Sequence, residues 1–248
     1  MIEVRNLSKS FGDHCILDHI NFQIKKGESL VIIGRSGGGK SVLLKHLIGL
    51  LQPDEGEVLI DGENIVDMDE RQLLRVRHKF GMVFQQAALF DSMTVAENVG
   101  FALQRERQLP EDQIGQKVAE MLEMVDLPGT EEKKPAELSG GMRKRVGLAR
   151  AIIYEPEIVL YDEPTTGLDP IVSDSIDKLI ERVRDRLDVT SVVVTHDMRS
   201  ARRLGQRILM LHDRKIHASG TAEEIFNSKD PIVRQFIDGV SDPKEVHV

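Results

Sequence analysis

The run Gly34-Arg35-Ser36-Gly37-Gly38-Gly39-Lys40-Ser41 constrains this chain more than any other stretch, because four glycines within six residues favour neither helix nor strand. Apolar Leu30 to Ile33 precede it and read as a strand. Val42, Leu43, Leu44, Leu47 and Ile48 follow at helical spacing, until Pro53-Asp54-Glu55-Gly56 breaks the helix. Strand, glycine loop and helix in that order fit the phosphate-loop pattern. The glycines let successive backbone N–H groups curl around phosphate oxygens, and the helix N-terminus adds positive potential. Lys40 then places a charge on the β- and γ-phosphates, and Ser41 offers a hydroxyl to Mg²⁺. A glycine-rich turn with an incidental lysine is the plainer alternative; the strand before and the helix after weigh against it.

A triphosphate site also needs a metal-orienting carboxylate and a group that positions water, usually at the end of a buried strand. Ile158 to Tyr161, followed by Asp162 and Glu163, supplies both: Asp162 to hold Mg²⁺ through water, Glu163 to polarise the attacking water. Two adjacent acids are common in loops, but here an apolar strand precedes them and Pro164 follows. Leu138-Ser139-Gly140-Gly141-Met142 leads into a helix carrying Val146, Leu148, Ala149, Ile152 and Ile153. Ser139 is a good N-cap, the glycines expose backbone N–H groups, and the helix dipole directs positive potential at whatever docks there. Alone such a cap is more often structural; beside a phosphate loop it reads as a second anion cradle.

These motifs, in this order, resemble those of the ATPase subunits of ATP-binding-cassette (ABC) transporters, over essentially the first 225 residues. In that resemblance Leu138 to Met142 is the family signature, Gln85 the coupling glutamine, and His196 of Val194-Thr195-His196-Asp197 the switch histidine. Asp169 of Gly167-Leu168-Asp169 lies in the dimer-contact loop. The resemblance implies ATP and Mg²⁺ as ligands, Phe11 as the adenine-stacking aromatic, Gln85 as a ligand of Mg²⁺ and water, and His196 as a γ-phosphate contact. By themselves Phe11 reads as core, Gln85 as a surface amide and His196 as a satisfied histidine at a strand end. It also implies that each ATP is sandwiched between the phosphate loop of one subunit and Ser139, Gly140 and Gly141 of another, so that a second copy is a required partner. Met142 stands where the signature usually has glutamine, and Phe11 where tyrosine is more usual. The signature contact then rests on Ser139 and backbone N–H groups.

The stretch from Gly34 to Gly49, the Met-containing signature and Asp230 to Gly239 together resemble the ATPases of MCE-linked, Mla-type systems, which move phospholipids between bacterial membranes. That implies an integral membrane permease, a small STAS-like accessory subunit and an MCE-type lipid-binding protein as partners. A small-solute importer ATPase and a non-transport cassette acting as a mechanical clamp share the same core motifs. The expected fold class is α/β: a P-loop NTPase (RecA-like) core of the ABC ATPase type, with an antiparallel β portion and a helical subdomain at about 87–150. The cassette is expected over 1–225 and a C-terminal extension over 226–248. In that extension Pro231 to Gly239 predicts a short amphipathic helix with Ile232, Phe236 and Ile237 on one face, which docks on a partner or packs on its own core.

Strands are expected at Ile2 to Leu7, Ile16 to Ile24, Ser29 to Ile33, Ile158 to Tyr161, Ser191 to Val194, Ile208 to Leu211 and Lys215 to Ala218. Helices are expected near Pro170 to Leu187 and Met198 to Leu204, with Thr94 to Glu97 in capping-box form and Pro110 in a first helical turn. With 33 basic against 41 acidic residues the net charge is −8, which argues against sequence-independent binding to nucleic acid; aromatics at 4% and no tryptophan argue against base stacking. No apolar run approaches the roughly 20 residues that span a bilayer. The one cysteine, Cys15, and a start with no apolar signal core fit a reducing compartment. The expected location is peripheral, on the cytoplasmic face of the inner membrane. Arg199, Arg202, Arg203 and Arg207 are expected to be a solvated basic face, and Cys15 an ordinary strand residue.

Overall fold

Alternating burial organises the first residues. Ile2, Val4 and Leu7 of β1 (Ile2–Phe11) and Leu17, Ile20, Phe22 and Ile24 of β2 (His14–Ile24) point to one buried face. The two strands pair antiparallel from Ile2 opposite Ile24 to Phe11 opposite His14, closed by the turn Gly12-Asp13. The computed structural model describes residues 2–107 and 109–240; the polar end Ser241 to Val248 lies outside the described residues. The chain divides into two compact units, one formed by the segments before Arg77 and after Ser191, the other by Arg77–Ser191.

In the first unit β3 (Ser29–Gly34) is buried along its whole length and runs into α1 (Lys40–Leu47) through the glycine loop. β4 (Glu55–Ile60) and β5 (Glu63–Asn64) complete an antiparallel sheet in the order β2-β1-β4-β5. The helix ends earlier than expected, at Leu47, where Gly49 turns into the left-handed region at φ 63°; Pro53 and Asp54 instead lead into β4, which Glu55 and Gly56 open. A Cβ on Gly56, at φ 93°, would lie 2.4 Å from the carbonyl oxygens of Arg5 and Asn6, so the bulge in β1 admits only glycine there. α2 (Glu70–Arg77) ends this segment with only Leu73 and Val76 buried. Neither β4, β5 nor α2 was expected from the sequence, because short, charge-rich segments carry little periodicity.

The second unit contains β6 (Phe80–Val83), α3 (Val95–Glu106), α4 (Glu111–Met124), α5 (Gly140–Ile152), β7 (Ile158–Asp162) and α6 (Pro170–Leu187). β6 and β7 pair in parallel, from Phe80 opposite Ile158 to Val83 opposite Tyr161. Thr94 and Glu97 form the expected capping box on α3; Pro110 is the N-cap of α4 rather than a residue of its first turn. α5 packs against β6 and against α3, α4 and α6. Gly81 is where that packing is closest: a Cβ there would meet the Ala151 carbonyl oxygen at 2.3 Å.

The chain leaves this unit along β8 (Thr190–Thr195) and adds α7 (Met198–Leu204), β9 (Arg207–His212), β10 (Lys215–Thr221), α8 (Ala222–Phe226) and α9 (Pro231–Asp238) to the first unit. There the strand order is β10-β9-β3-β8, with β3 parallel to β9 and β10 antiparallel to it. Arg199, Arg202 and Arg203 are exposed, as expected of a solvated face, although Arg202 also lies over the Phe226 ring. Arg207 departs from expectation: it is partly buried, donates to Glu28 at 2.6 Å and to the Gln23 carbonyl, and so ties elements together. In α9 it is Val233 that is fully buried, and Arg234 donates to the Phe226 carbonyl at 3.0 Å, so the helix packs on its own unit. Ile232 and Phe236 instead line a cavity described below.

Candidate active site

The glycine loop is held by sterics before any ligand is considered. Gly37 and Gly39 have φ of 74° and 93°, and a Cβ on Gly34 would lie 2.4 Å from the Leu211 carbonyl oxygen of neighbouring β9. Gly39 is the N-cap of α1 and offers no side chain to its first N–H groups, and the first turn of α1 contains no acid. Lys40 is 5% exposed; its ammonium donates to the carbonyls of Gly34 at 2.8 Å and Arg35 at 2.9 Å. A cation has therefore been brought inside a ring of backbone at a helix start. The arrangement suits a polyphosphate, whose oxygens take the N–H groups and whose charge the ammonium balances.

The surrounding residues extend that surface within the same unit. Arg35, Ser36 and His196, the residue after β8, line a cavity of about 550 Å³ together with His212, Ile232 and Phe236. A neighbouring cavity of about 530 Å³ is lined by Arg35, Ser36, Gly37 and Gly38 with Ile16 and Cys15, which is a strand residue as expected and also faces this space. Phe11 ends β1 with 48% of its surface exposed, and the Lys9 ammonium lies 5.5 Å from its ring centre. It is not a core aromatic, and its face is accessible for stacking.

In the second unit, β7 is buried throughout and delivers Asp162 and Glu163 at its end, each 8% exposed. Glu163 adopts φ 49°, a left-handed conformation that costs a residue carrying a Cβ about 1–2 kcal/mol. Its carboxylate accepts from the Thr166 hydroxyl at 3.2 Å. Gln85 sits in the loop after β6, with its side chain exposed and its carbonyl accepting from Lys144. Ser139 caps α5 as expected, its hydroxyl oxygen accepting from the Met142 N–H at 3.2 Å. Asp169 caps α6, accepting from Ile171 and Val172 at 2.9 and 3.0 Å. Gly140 and Gly141 pack against the start of α6: added Cβ atoms would lie 3.3 Å from the Leu168 side chain and 2.7 Å from that of Val172.

Two residues that sequence reasoning passed over carry much of this unit's geometry. Lys144 is 7% exposed and donates both to the Gln85 carbonyl and, at 3.3 Å, to the Glu163 carbonyl. Burial pushes its ammonium down from the ordinary lysine range, opposed by the Glu163 and Asp162 carboxylates. Arg150 donates to the carbonyls of Ala87 and Ala88, both in left-handed conformation. The available signal was position: Lys144, Leu148 and Ile152 share one face of α5, and a lysine in an apolar stripe asks for a partner.

The donor types also fit Mg²⁺. A hydroxyl at Ser41, a carboxylate at Asp162 and an amide oxygen at Gln85 are hard oxygen ligands. Among the described residues no three His, Cys, Asp or Glu side chains gather into a group that could hold a metal ion.

Comparison with known proteins agrees with this chemistry. Residues 17–166 match the family described as ABC transporter. The intermembrane phospholipid transport system ATP-binding protein MlaF of Haemophilus influenzae is 43% identical over 242 residues, covering 98% of this chain and 92% of that protein. The probable ribonucleotide transport ATP-binding protein mkl of Mycobacterium leprae is also 43% identical, over 96% of this chain and 69% of its own length. Among solved structures, a dimeric ATP-binding cassette in a post-hydrolysis state bound to ADP and Pi superposes with a TM-score of 0.82 at 36% identity, covering 90% of this chain and 99% of that one. This chain belongs to the ABC transporter family and is one of its ATP-hydrolysing cassettes.

Proposed function

We propose that this cassette powers phospholipid transport between bacterial membranes, through ATP-driven pairing of two copies coupled to a separate permease. The observation that carries the reading is the 43% identity to MlaF, which runs across nearly the whole of both chains. No helix among the described residues is long and apolar enough to cross a membrane, so force passes to another subunit, and the chain sits peripherally on the cytoplasmic face of the inner membrane. We divide it into a cassette at 1–225, with a helical subdomain at about 87–150, and an extension at 226–248. A small STAS-like subunit and an MCE-type lipid-binding protein complete the proposed complex.

In this reading Gly34 to Gly39, with Arg35 and Ser36, receive the phosphates on backbone N–H groups, Lys40 balances their charge, and Phe11 stacks on the adenine. Ser41, Asp162 and Gln85 would hold Mg²⁺, which when bound neutralises charge on the transferring phosphoryl group. Glu163 takes a proton from the attacking water, and His196 donates to the γ-phosphate. Ser139, Gly140 and Gly141 of a second copy close the site, with Asp169 in the contact between copies. Its burial and strained backbone support Glu163 as the base, since such a conformation persists only where the surroundings over-determine it.

The equal identity of a ribonucleotide-transport relative favours a second substrate class for the same machine. Extraction of the tagged chain with its membrane partners, followed by mass spectrometry of bound small molecules, separates the two. Co-purified phospholipid, with ATPase raised on reconstitution into phospholipid vesicles, is the expected result. Ribonucleotide in place of lipid, or a permease insensitive to phospholipid, would reject it.

A further inference from the structure

α5 grips the glutamine loop at two sites along one side. Lys144 donates to the Gln85 carbonyl, and six residues on Arg150 donates to the carbonyls of Ala87 and Ala88 at 2.6 and 2.7 Å. Between them Gly147 lets the helix come close: a Cβ there would lie 3.1 Å from that of Ala87. Arg150 fastens only the loop to the helix. Lys144 does something Arg150 does not, because its ammonium also reaches the carbonyl of Glu163, at 3.3 Å. One buried cation thus touches the main chain of two residues whose side chains are assigned to the reaction. Lys144 is 7% exposed and borders a small cavity lined also by Val83, Leu148, Tyr161 and Pro164, so its surroundings are largely apolar.

We propose that Lys144 is a positioning residue for ATP hydrolysis: by donating to the carbonyls of Gln85 and Glu163 together, it sets the backbone from which both side chains project. The proposal rests on the roles given above to Gln85 and Glu163. Its physical basis is that Glu163 keeps a left-handed backbone, which costs a residue with a Cβ free energy, and that the ammonium donates to the carbonyl of that same peptide group. The ammonium is a charge-assisted donor inside a region of low dielectric, where such a bond is stronger and harder to replace by water. Because α5 begins at the Ser139 signature, the same lysine connects the helix that meets a second copy with the residues that act on water.

The test uses the full-length chain and compares Lys144→Met, Lys144→Arg, Glu163→Gln and the double variant Lys144→Met/Glu163→Gln. Methionine keeps the stem and loses the donors. For Lys144→Met a kcat lower by about 10- to 100-fold is expected, the cost of a small misplacement of reacting groups. ATP affinity by calorimetry and KM should stay within about threefold, because no phosphate contact is removed. Lys144→Arg should recover most of the rate. In single-turnover assays the double variant should be no slower than Glu163→Gln, because a residue that acts through Glu163 has nothing left to position. Parent-like kcat in Lys144→Met, an equal loss in Lys144→Arg, or losses that multiply in the double variant would each overturn the proposal. If Lys144→Met fails to fold in a thermal melt, Lys144→Gln takes its place, with the same loss expected and parent-like kcat again overturning it. Glu163→Gln hydrolysing at the parent rate is a separate failure, of the role given to Glu163 itself.

Discussion

Lys40 and Glu163 are both charged and nearly buried, yet their surroundings set them different tasks. Lys40 is folded onto the carbonyls of Gly34 and Arg35, where it can only balance negative charge brought to the loop. Glu163 is held by its backbone, with Thr166 donating to one carboxylate oxygen. Lys40→Ala should therefore weaken ATP binding in calorimetry, whereas Glu163→Gln should bind ATP like the parent, lose hydrolysis by orders of magnitude and accumulate an ATP-bound dimer in size-exclusion chromatography. A different titration concerns His46, which is 1% exposed and hydrogen-bonded through Nδ1 to the Val42 carbonyl at 2.7 Å. Burial holds its imidazole below the ordinary value of 6.5. The unfolded chain then takes up a proton that the folded chain resists, so this contribution is absent well above 6.5 and lowers stability as pH falls below it. Between about pH 7.5 and pH 5.5 the urea midpoint of the parent should drop more than that of His46→Gln. Equal drops would assign the loss to other groups.

Elements in this protein meet at glycines for two distinct reasons, and substitution separates them. At Gly81 the obstacle is backbone: β6 approaches the end of α5 so closely that a methyl group would overlap the Ala151 carbonyl oxygen. Gly81→Ala should cost about 1–3 kcal/mol, because two packed elements must move apart. Gly115 lies inside α4 on its exposed side, with nothing within 4 Å of an added Cβ. Gly115→Ala should stabilise by about 0.5–1 kcal/mol through helix propensity alone. Urea unfolding of both variants checks the pair, and opposite signs are the required outcome. The same element scale shows why the caps were legible: Thr94, Ser139 and Asp169 each bond to N–H groups two or three residues on, a relation contained within one short segment.

In the proposed function the phosphate loop and the signature of this chain are two half-sites completed by a second copy, and solved cassettes similar to it are dimers. Composite sites predict complementation. In a mixture of Lys40→Ala and Ser139→Arg chains, mixed dimers should hold one intact site and recover a measurable fraction of parent ATPase, while each homodimer should have almost none. The measurement is ATPase of mixed dimers isolated with two different tags. Activity no higher than that of the two homodimers would count against Ser139 acting across the interface.

The sequence alone determined what depends on a few neighbouring residues. Gly34 to Ser41 could be read as an anion loop because glycine dihedrals, the strand before and the helix after are all local. Asp162 and Glu163 were legible for the same reason, at the end of an uninterrupted apolar strand. Tertiary structure decided the rest. β9 pairs with β3 although some 170 residues of chain separate them in the sequence, and this pairing supplies the Leu211 carbonyl that makes Gly34 obligatory. β4, β5, β6 and α2 are too short or too charged to show a period and form because neighbouring strands and apolar faces cover them. Arg150 looks in sequence like a surface cation on a helix, and the place of Lys144 in an apolar stripe does not say which groups it meets. Only packing, by burying their stems and setting backbone carbonyls against their heads, turns them into the groups that hold the loop and the strand end in place.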